Sequence, residues 1–133
     1  MIVKEKRIRK LLILAGGILV VGLIHEFLAG NGIVLMENKG LSFGWFEGGW
    51  GMALLVWLVL WWVWWSGDFG GGKVGIWMML VGGAVNIGDR WRGGGVRDYW
   101  SWLNGVIYNN MADWLISGGL FVFILELWKD KPK

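Results

Sequence analysis

The sequence of 133 residues contains no cysteine, one proline and one histidine. Without cysteine the chain forms no disulfide, has no thiol nucleophile and cannot hold a cysteine-ligated metal or iron–sulfur cluster. His25 alone cannot build a multi-histidine metal site, and nothing marks a site for a carboxylate-bound ion. Charged residues are also scarce, at 17% of the chain. We therefore expect a function that needs neither a metal nor an organic cofactor.

Apolar residues, by contrast, make up 56% of the chain, and it contains 24 Gly and 13 Trp. This composition is too apolar for an ordinary soluble domain. Membrane helices tolerate Gly, and tryptophan is enriched where a membrane meets water. The composition therefore predicts a single integral membrane domain that covers residues 1–133.

Four apolar stretches predict an all-α membrane protein, a four-transmembrane-helix bundle. They cover approximately residues 11–28, 48–67, 74–88 and 114–128. A helix rises about 1.5 Å per residue and the hydrocarbon core is about 30 Å thick, so the third and fourth stretches are short for a span. Small extracytoplasmic loop or β-like elements are expected between helices 1 and 2 and between helices 3 and 4. The glycines expected to allow close helix packing are Gly16, Gly17, Gly22, Gly82 and Gly83.

The basic residues predict the orientation of these helices. Five of them precede the first apolar stretch, and three end the chain: Lys4, Lys6, Arg7, Arg9, Lys10, Lys129, Lys131 and Lys133. Because basic flanks stay on the cytoplasmic side, both termini are expected in the cytoplasm. The net charge of +3 therefore reflects membrane orientation, and we expect no nucleic-acid partner. Residues 1–30 also resemble a cleaved signal peptide, but three further apolar stretches favour an uncleaved first helix.

Acidic residues crowd the connection between the last two stretches, where Asp89, Asp98 and Asp113 occur. Ionised carboxylates are costly beside hydrocarbon, so such a cluster is a functional-site hypothesis. Two carboxylates that share a proton can activate water for peptide hydrolysis. The residues alone leave simpler readings open, because Asp113 could be a helix N-cap and Asp89 could pair with a nearby Arg. Charge alone also does not favour Asp98 over Asp89.

Four short motifs lie in and around these outer connections. They are Asn-x-Gly-x-Ser-Phe at 38–43, Gly-Gly-Ala…Asn-x-x-Asp-Arg at 82–90, Gly-Val-x-Asp-Tyr at 95–99 and Asn-x-Ala-Asp at 110–113. In this order they resemble the motifs of signal peptidase II, the bacterial lipoprotein signal peptidase, a four-span membrane aspartic protease. The resemblance covers about two thirds of the chain, from Asn38 to the fourth stretch.

The resemblance implies an aspartic endopeptidase of the bacterial cytoplasmic membrane. Such enzymes remove signal peptides from prolipoproteins and cut before a cysteine that carries diacylglycerol. The expected partners are therefore that signal peptide and membrane lipid, the chain is expected to be a monomer, and the active site is expected at the outer face. The site residues that the resemblance implies are the catalytic Asp98 and Asp113 and the substrate-binding or supporting Asn38, Asn86, Asp89, Arg90 and Asn110.

The chain departs from the family pattern in its first helix, where the family has an Asp and a Lys. Here the outer end reads Ile24-His25-Glu26-Phe27, so Glu26 is a candidate replacement for the acid. Arg97 stands where the family prefers an apolar residue, and it would favour ionised Asp98 if the two side chains met. The outer loops are short, which predicts a compact, divergent member. A catalytically inactive homologue or a small membrane scaffold protein is the alternative function.

The tryptophans of the second outer region allow two interpretations. Trp91, Trp100 and Trp102 could form a mobile cover over the site or could serve as passive membrane anchors. Aromatic belts at membrane surfaces favour anchoring.

Overall fold

A computed structural model of the chain describes residues 2–31, 34–41, 46–47, 50–67 and 73–129. These residues form four helices: α1 (Ile2–Gly30), α2 (Trp50–Ser66), α3 (Lys73–Gly93) and α4 (Met111–Lys129). Each helix corresponds to one predicted apolar stretch. Two helices extend well beyond their stretches. α1 already begins at Ile2, within the basic segment, and α3 continues past residue 88, so that Asp89 and Arg90 lie on helix rather than in a loop.

Two of the helices are long and apolar enough to cross a membrane. They are Glu5–Gly30, within α1, and Met111–Lys129, which is α4. The apolar helix α2 is shorter, with 17 residues, and α3 carries Asp89, Arg90 and Arg92 in its last turns. The chain is therefore mostly helical and suited to membrane association, while a crossing by all four helices remains a prediction.

Helix α2 shows why an apolar environment is needed outside the bundle. Its 17 residues include no charge, yet only Trp64 is buried. Leu55, Val59 and Trp62 are each more than half exposed. A helix that is apolar on all sides and that protein does not cover is typical of a segment surrounded by lipid.

The core lies along α3, which packs against each of the other three helices. Ile76, Leu80 and Val81 of α3 are almost completely buried. Its approach to α4 is close because Gly82 lies against the backbone carbonyl of Ala112, where a Cβ would collide. This close approach holds the C-terminal half of α3 against the first turns of α4.

The glycine prediction is confirmed at three positions and wrong at two. Gly17, Gly82 and Gly83 have neighbouring atoms that a Cβ would meet at close range. At Gly16 and Gly22 no atom lies within 4 Å of such a Cβ, because these two positions face away from the other helices.

Among the described residues, six short strands lie between α1 and α2 and between α3 and α4, where the β-like elements were predicted. They are β1 (Met36–Asn38), β2 (Gly40–Leu41), β3 (Phe46–Glu47), β4 (Val96–Asp98), β5 (Trp100–Trp102) and β6 (Ile107–Asn109). β1 pairs antiparallel with β4, so the two connections meet at one end of the bundle. β2 pairs with β3, and β5 with β6. Ser42 and Phe43 of the first motif lie outside the described residues.

Candidate active site

Asp98 lies at the end of β4, where β1 holds it in place. The register pairs Asp98 with Met36, and the backbone N–H of Leu35 donates to the carbonyl oxygen of Asp98 at 2.9 Å. Its side chain is only 1% exposed. Because β1 belongs to the first connection and β4 to the second, this carboxylate is held by segments that are about 60 residues apart in the chain.

Asp113 is the third residue of α4 and takes part in the cap of that helix. The Asn110 side-chain oxygen accepts the backbone N–H groups of Ala112 and Asp113, at 2.8 and 3.1 Å. In return, Asp113 Oδ2 accepts the backbone N–H of Asn110 at 3.1 Å. This reciprocal arrangement is a capping box, with Asn110 as the N-cap residue. The capping reading of Asp113 is therefore correct in part, but Asp113 has further contacts.

Two asparagine side chains connect the two aspartates. Asn110 Nδ2 donates to Asp98 Oδ1 at 2.9 Å, and Asn86 Nδ2 donates to Asp113 Oδ1 at 2.7 Å. Asn110 Nδ2 also lies 3.2 Å from Asn86 Oδ1, to which it donates. Asn110 itself is completely buried. The four residues thus form one continuous hydrogen-bonded cluster at the junction of β4, α3 and α4.

The surroundings of Asp98 disfavour its charged form. Burial, followed by the nearby charge of Asp113, raises the pKa of Asp98 from 3.8 to about 6. Hydrogen bonds from Asn110 and Asn38 and the charge of Arg90 oppose this effect without cancelling it. Two neighbouring carboxylates cannot both ionise cheaply, so the pair favours a state with one proton.

Arg90 and Asn38 complete the polar surroundings of this pair. Arg90 is half-buried, donates to the backbone carbonyl of Asn86 at 3.3 Å and interacts electrostatically with Asp98 and Asp113. Asn38 lies on β1 and hydrogen-bonds to Asp98. Both line the same cavity as the two aspartates. Five of the seven implied residues thus line this cavity, and Asn110 joins them through its hydrogen bond to Asp98.

Asp89 is the seventh residue, and it faces elsewhere. Asn86 and Asp89 are one turn apart on α3, but Asn86 reaches α4, whereas Asp89 reaches α1 and β4. Asp89 is 2% exposed, and its Oδ1 accepts a hydrogen bond from Arg97 Nη2 at 2.6 Å. The suggestion that Asp89 pairs with a nearby Arg therefore agrees with the contacts.

Arg97 belongs to this second cluster and not to Asp98. Alternate residues of a strand face opposite sides, so Arg97 points away from its neighbour. It contacts Asp89 and donates to Glu26 Oε1 at 2.8 Å, and these hydrogen bonds raise its pKa. Arg92 also pairs with Glu26. The side chains of Arg97 and Asp98 therefore do not meet, which was the condition for Arg97 to favour ionised Asp98. Glu26 instead pairs with two arginines, Arg92 and Arg97.

Two residues in this region were not expected from the sequence. His25 is completely buried, and its Nε2 lies 2.8 Å from Asp89 Oδ2. Tyr99 is 2% exposed, and its hydroxyl accepts the backbone N–H of Met111 at 3.0 Å. The one signal in the sequence was the presence of the single histidine within the apolar stretch that forms α1.

A cavity of about 640 Å³ opens in front of the aspartate pair. Its polar lining includes Asp98 and Asp113 as well as Tyr108 and Asn109 of β6. The remainder is apolar, with walls from three helices: Met52, Ala53, Val56, Trp57 and Leu60 of α2, Met79, Gly83 and Ile87 of α3, and Ile116 of α4. The cavity therefore combines a proton-sharing carboxylate pair with an apolar groove between helices.

The tryptophans near the site are mostly exposed. Trp91 is 84% exposed and Trp102 51% exposed. The ring of Trp102 packs edge-on against Trp114, which lies in the first turn of α4, at a centroid distance of 5.6 Å. None of the three tryptophans 91, 100 and 102 lines the cavity. These positions agree with the anchoring interpretation, which remains a prediction.

Among the residues that the structure describes, no group of three or more His, Cys, Asp or Glu side chains is arranged to hold a metal ion. The chemistry that the cluster can perform is acid–base chemistry, since one carboxylate can accept a proton while the other donates one. The fold and the site together define a helical membrane protein with an aspartate pair at one end of its bundle.

Comparison with known proteins makes this class specific. The family model of Signal peptidase (SPase) II matches residues 7–129, so the chain belongs to the signal peptidase II family, a family of membrane aspartic peptidases. A solved structure described as a bacterial membrane enzyme, determined by the in meso method at 2.3 Å resolution, shares the fold with a TM-score of 0.58. It is 22% identical, and the match covers 74% of this chain and 68% of that chain. No curated protein matches this chain.

Proposed function

We propose that this chain is an aspartic endopeptidase that removes signal peptides from diacylglyceryl-modified prolipoproteins and cleaves before the lipidated cysteine. The observation that carries the proposal is the pair of carboxylates that line the cavity, the buried Asp98 and the half-buried Asp113, which are hydrogen-bonded to the same Asn110. Membership of the signal peptidase II family supports a lipoprotein signal peptide as the substrate class.

The hydrogen bonds favour different roles for the two aspartates. Both oxygens of Asp113 accept N–H groups, from Asn86 and from the backbone of Asn110. Such bonds lower the cost of ionising a carboxyl group, and we assign Asp113 the role of general base. Burial and the neighbouring charge of Asp113 raise the pKa of Asp98 to about 6, which suits a carboxyl group that carries a proton near neutral pH. Asp98 is then the general acid.

The reaction follows from these roles. Asp113 takes a proton from a water molecule, whose oxygen attacks the scissile carbonyl carbon, while Asp98 gives its proton to the carbonyl oxygen. The resulting tetrahedral intermediate collapses when Asp98 recovers that proton and Asp113 delivers its own to the departing amine. The C–N bond breaks, a C–O bond has formed, and the pair returns to its singly protonated state. Arg90 balances the negative charge that the pair retains.

The groove supports substrate capture from within the membrane. A signal peptide is an apolar helix, and α2, α3 and α4 line the cavity with apolar side chains beside the aspartates. We propose that all four helices cross the membrane, with both termini cytoplasmic and the aspartates at the outer face. The scissile bond can then reach the two aspartates while the signal peptide stays in the membrane.

This topology can be tested with single cysteines, because the chain has none of its own. Val106→Cys lies at the tip of the β5–β6 hairpin, where Val106 is 77% exposed. A membrane-impermeant maleimide should label it in intact cells, while Lys6→Cys should need permeabilised cells. The reverse pattern would contradict the orientation.

The function itself is tested by incubating the purified protein with a diacylglyceryl-modified prolipoprotein. The unaltered chain should release the signal peptide, and Asp98→Asn or Asp113→Asn should abolish the release. Glu37→Gln is the matched control, because Glu37 is an exposed carboxylate on the neighbouring strand β1. An unaltered chain without activity would favour an inactive homologue or a membrane scaffold.

A further inference from the structure

The buried His25 of α1 does not line the cavity. Its two ring nitrogens nevertheless lie next to Asp89 and Tyr99, which hold the segments that carry Asp98 and Asp113. His25 is completely buried, and its Nε2 lies 2.8 Å from Asp89 Oδ2. Its Nδ1 lies 3.4 Å from the hydroxyl oxygen of Tyr99, and the two rings contact each other at a tilted angle. The residues that line the cavity do not include His25, Asp89 or Tyr99.

One end of this chain of contacts fixes the strand that carries Asp98. Asp89 Oδ2 accepts the backbone N–H of Arg97 at 3.0 Å as well as the His25 ring. Arg97 immediately precedes Asp98 in β4. A rotation of the Asp89 carboxylate would therefore change the position of the backbone that presents Asp98.

The other end fixes the helix that carries Asp113. The Tyr99 hydroxyl oxygen accepts the backbone N–H of Met111, the first residue of α4, at 3.0 Å. Since the hydroxyl accepts that bond, its own proton is available for His25 Nδ1. His25 Nε2–H then donates to Asp89, so a single tautomer satisfies the whole chain.

We propose that His25 is a positioning residue for the aspartate pair. It joins Asp89 and Tyr99 across the interior and so sets the spacing between β4 and the start of α4, on which Asp98 and Asp113 stand. The proposal rests on the proposed function. It assigns a role to the position where the first helix departs from the family pattern, and it separates His25 from Glu26, which anchors Arg92 and Arg97 instead.

The test compares two variants. His25→Phe keeps an aromatic ring at this position but removes the hydrogen bonds to Asp89 and Tyr99, whereas Leu23→Phe places a phenyl ring at an exposed position of α1. Small displacements of catalytic groups cost up to about 100-fold in rate, so kcat of His25→Phe should fall about 10- to 100-fold. KM should not change, because His25 does not line the cavity. Leu23→Phe should behave like the unaltered chain.

Two further measurements separate positioning from general stability. Amide hydrogen exchange in His25→Phe should quicken at Arg97 and Met111, the two backbone groups at the ends of the chain of contacts, before it quickens in the middle of α3. His25→Gln keeps an N–H that can reach Asp89 and should recover part of kcat. The losses in Tyr99→Phe and His25→Phe should not add in the double variant, because both break one network.

A folded His25→Phe variant with unchanged kcat and unchanged exchange at both amides would overturn the proposal. If that variant does not fold, Tyr99→Phe, which leaves the His25–Asp89 pair intact, must lose kcat or the proposal is equally overturned. If the unaltered chain has no peptidase activity, the proposed function fails, while the exchange measurements still decide whether His25 holds the two segments together.

Discussion

The side-chain amide of Asn86 donates a hydrogen bond to Asp113 Oδ1 at 2.7 Å and so joins the C-terminal half of α3 to the first turn of α4. This bond fixes the orientation of the proposed general base. It also shows why an asparagine is present, since an amide supplies an N–H to one carboxylate without adding a second negative charge.

Asn86→Asp tests that relationship with almost no change in shape. The variant replaces the donor with a third carboxylate beside Asp98 and Asp113, so peptidase activity should be lost and the free energy of unfolding should fall by about 2 kcal/mol or more at pH 7. Activity assays and thermal unfolding in detergent provide the measurements. Asn104→Asp at the exposed hairpin tip is the matched control and should change neither. Normal activity in Asn86→Asp would show that the bond does not matter.

The raised pKa of Asp98 predicts how stability depends on pH. Because its pKa is about 6 in the folded protein and 3.8 otherwise, the folded state holds the proton more tightly. Its stabilising contribution is complete below pH 3.8 and is lost as the pH rises through about 6. A neutral Asp98→Asn side chain avoids that loss, so this variant should be more stable than the unaltered chain at pH 8, by up to about 3 kcal/mol, and should differ little at pH 4.

Thermal unfolding of both proteins across this pH range checks the prediction. A constant difference at all pH values would show that Asp98 has an ordinary pKa. In the same range, kcat of the unaltered chain should fall as the pH rises through the apparent upper pKa of the pair, because the general acid is then lost.

Arg97→Leu and Arg92→Leu distinguish the two arginines of the second cluster. Arg97 bonds the buried Asp89, whereas the side chain of Arg92 is 61% exposed and pairs mainly with Glu26. Removing the Arg97 side chain leaves a buried carboxylate without its guanidinium partner and should cost about 2 to 3 kcal/mol, while an exposed pair contributes about 1 kcal/mol or less. Chemical or thermal unfolding of the two variants gives the comparison. Equal losses would contradict the separate roles.

The same pair of variants tests whether Arg97 affects Asp98. Since the two side chains leave β4 on opposite sides, the pH dependence of the remaining activity in Arg97→Leu should keep its alkaline limb in place. A shift of that limb to higher pH would mean that the Arg97 charge does reach Asp98.

Gly82→Ala tests the close approach of α3 and α4. A Cβ at this position would collide with the Ala112 carbonyl, so the helices must separate and the bond between Asn86 and Asp113 must lengthen. Both stability and activity should decrease. Gly16→Ala is the control, because no atom lies within 4 Å of a Cβ placed there. This variant should be as stable as the unaltered chain or more so, since alanine stabilises a helix by about 0.5 to 1 kcal/mol relative to glycine. Equal behaviour of the two variants would contradict the packing.

The helices were predictable because each contains an apolar stretch whose ends are marked by charge or glycine. The motifs predicted that Asp98 and Asp113 belong to one site, and the fold gives the physical reason, because Asn110 before α4 is hydrogen-bonded to both. The direction of the Arg97 side chain could be predicted only once β4 was known to be a strand, because alternate residues of a strand face opposite sides. His25 was not predictable, because its partners Asp89 and Tyr99 lie 64 and 74 residues away along the chain.

The most direct test of hydrolysis by the aspartate pair is a single turnover on a diacylglyceryl-modified prolipoprotein in water enriched in heavy oxygen. If Asp113 activates water while Asp98 donates a proton, the new carboxyl terminus of the released signal peptide should carry the heavy isotope, and neither Asp98→Asn nor Asp113→Asn should release a peptide. Unlabelled product after one turnover, or full cleavage by either variant, would contradict the account.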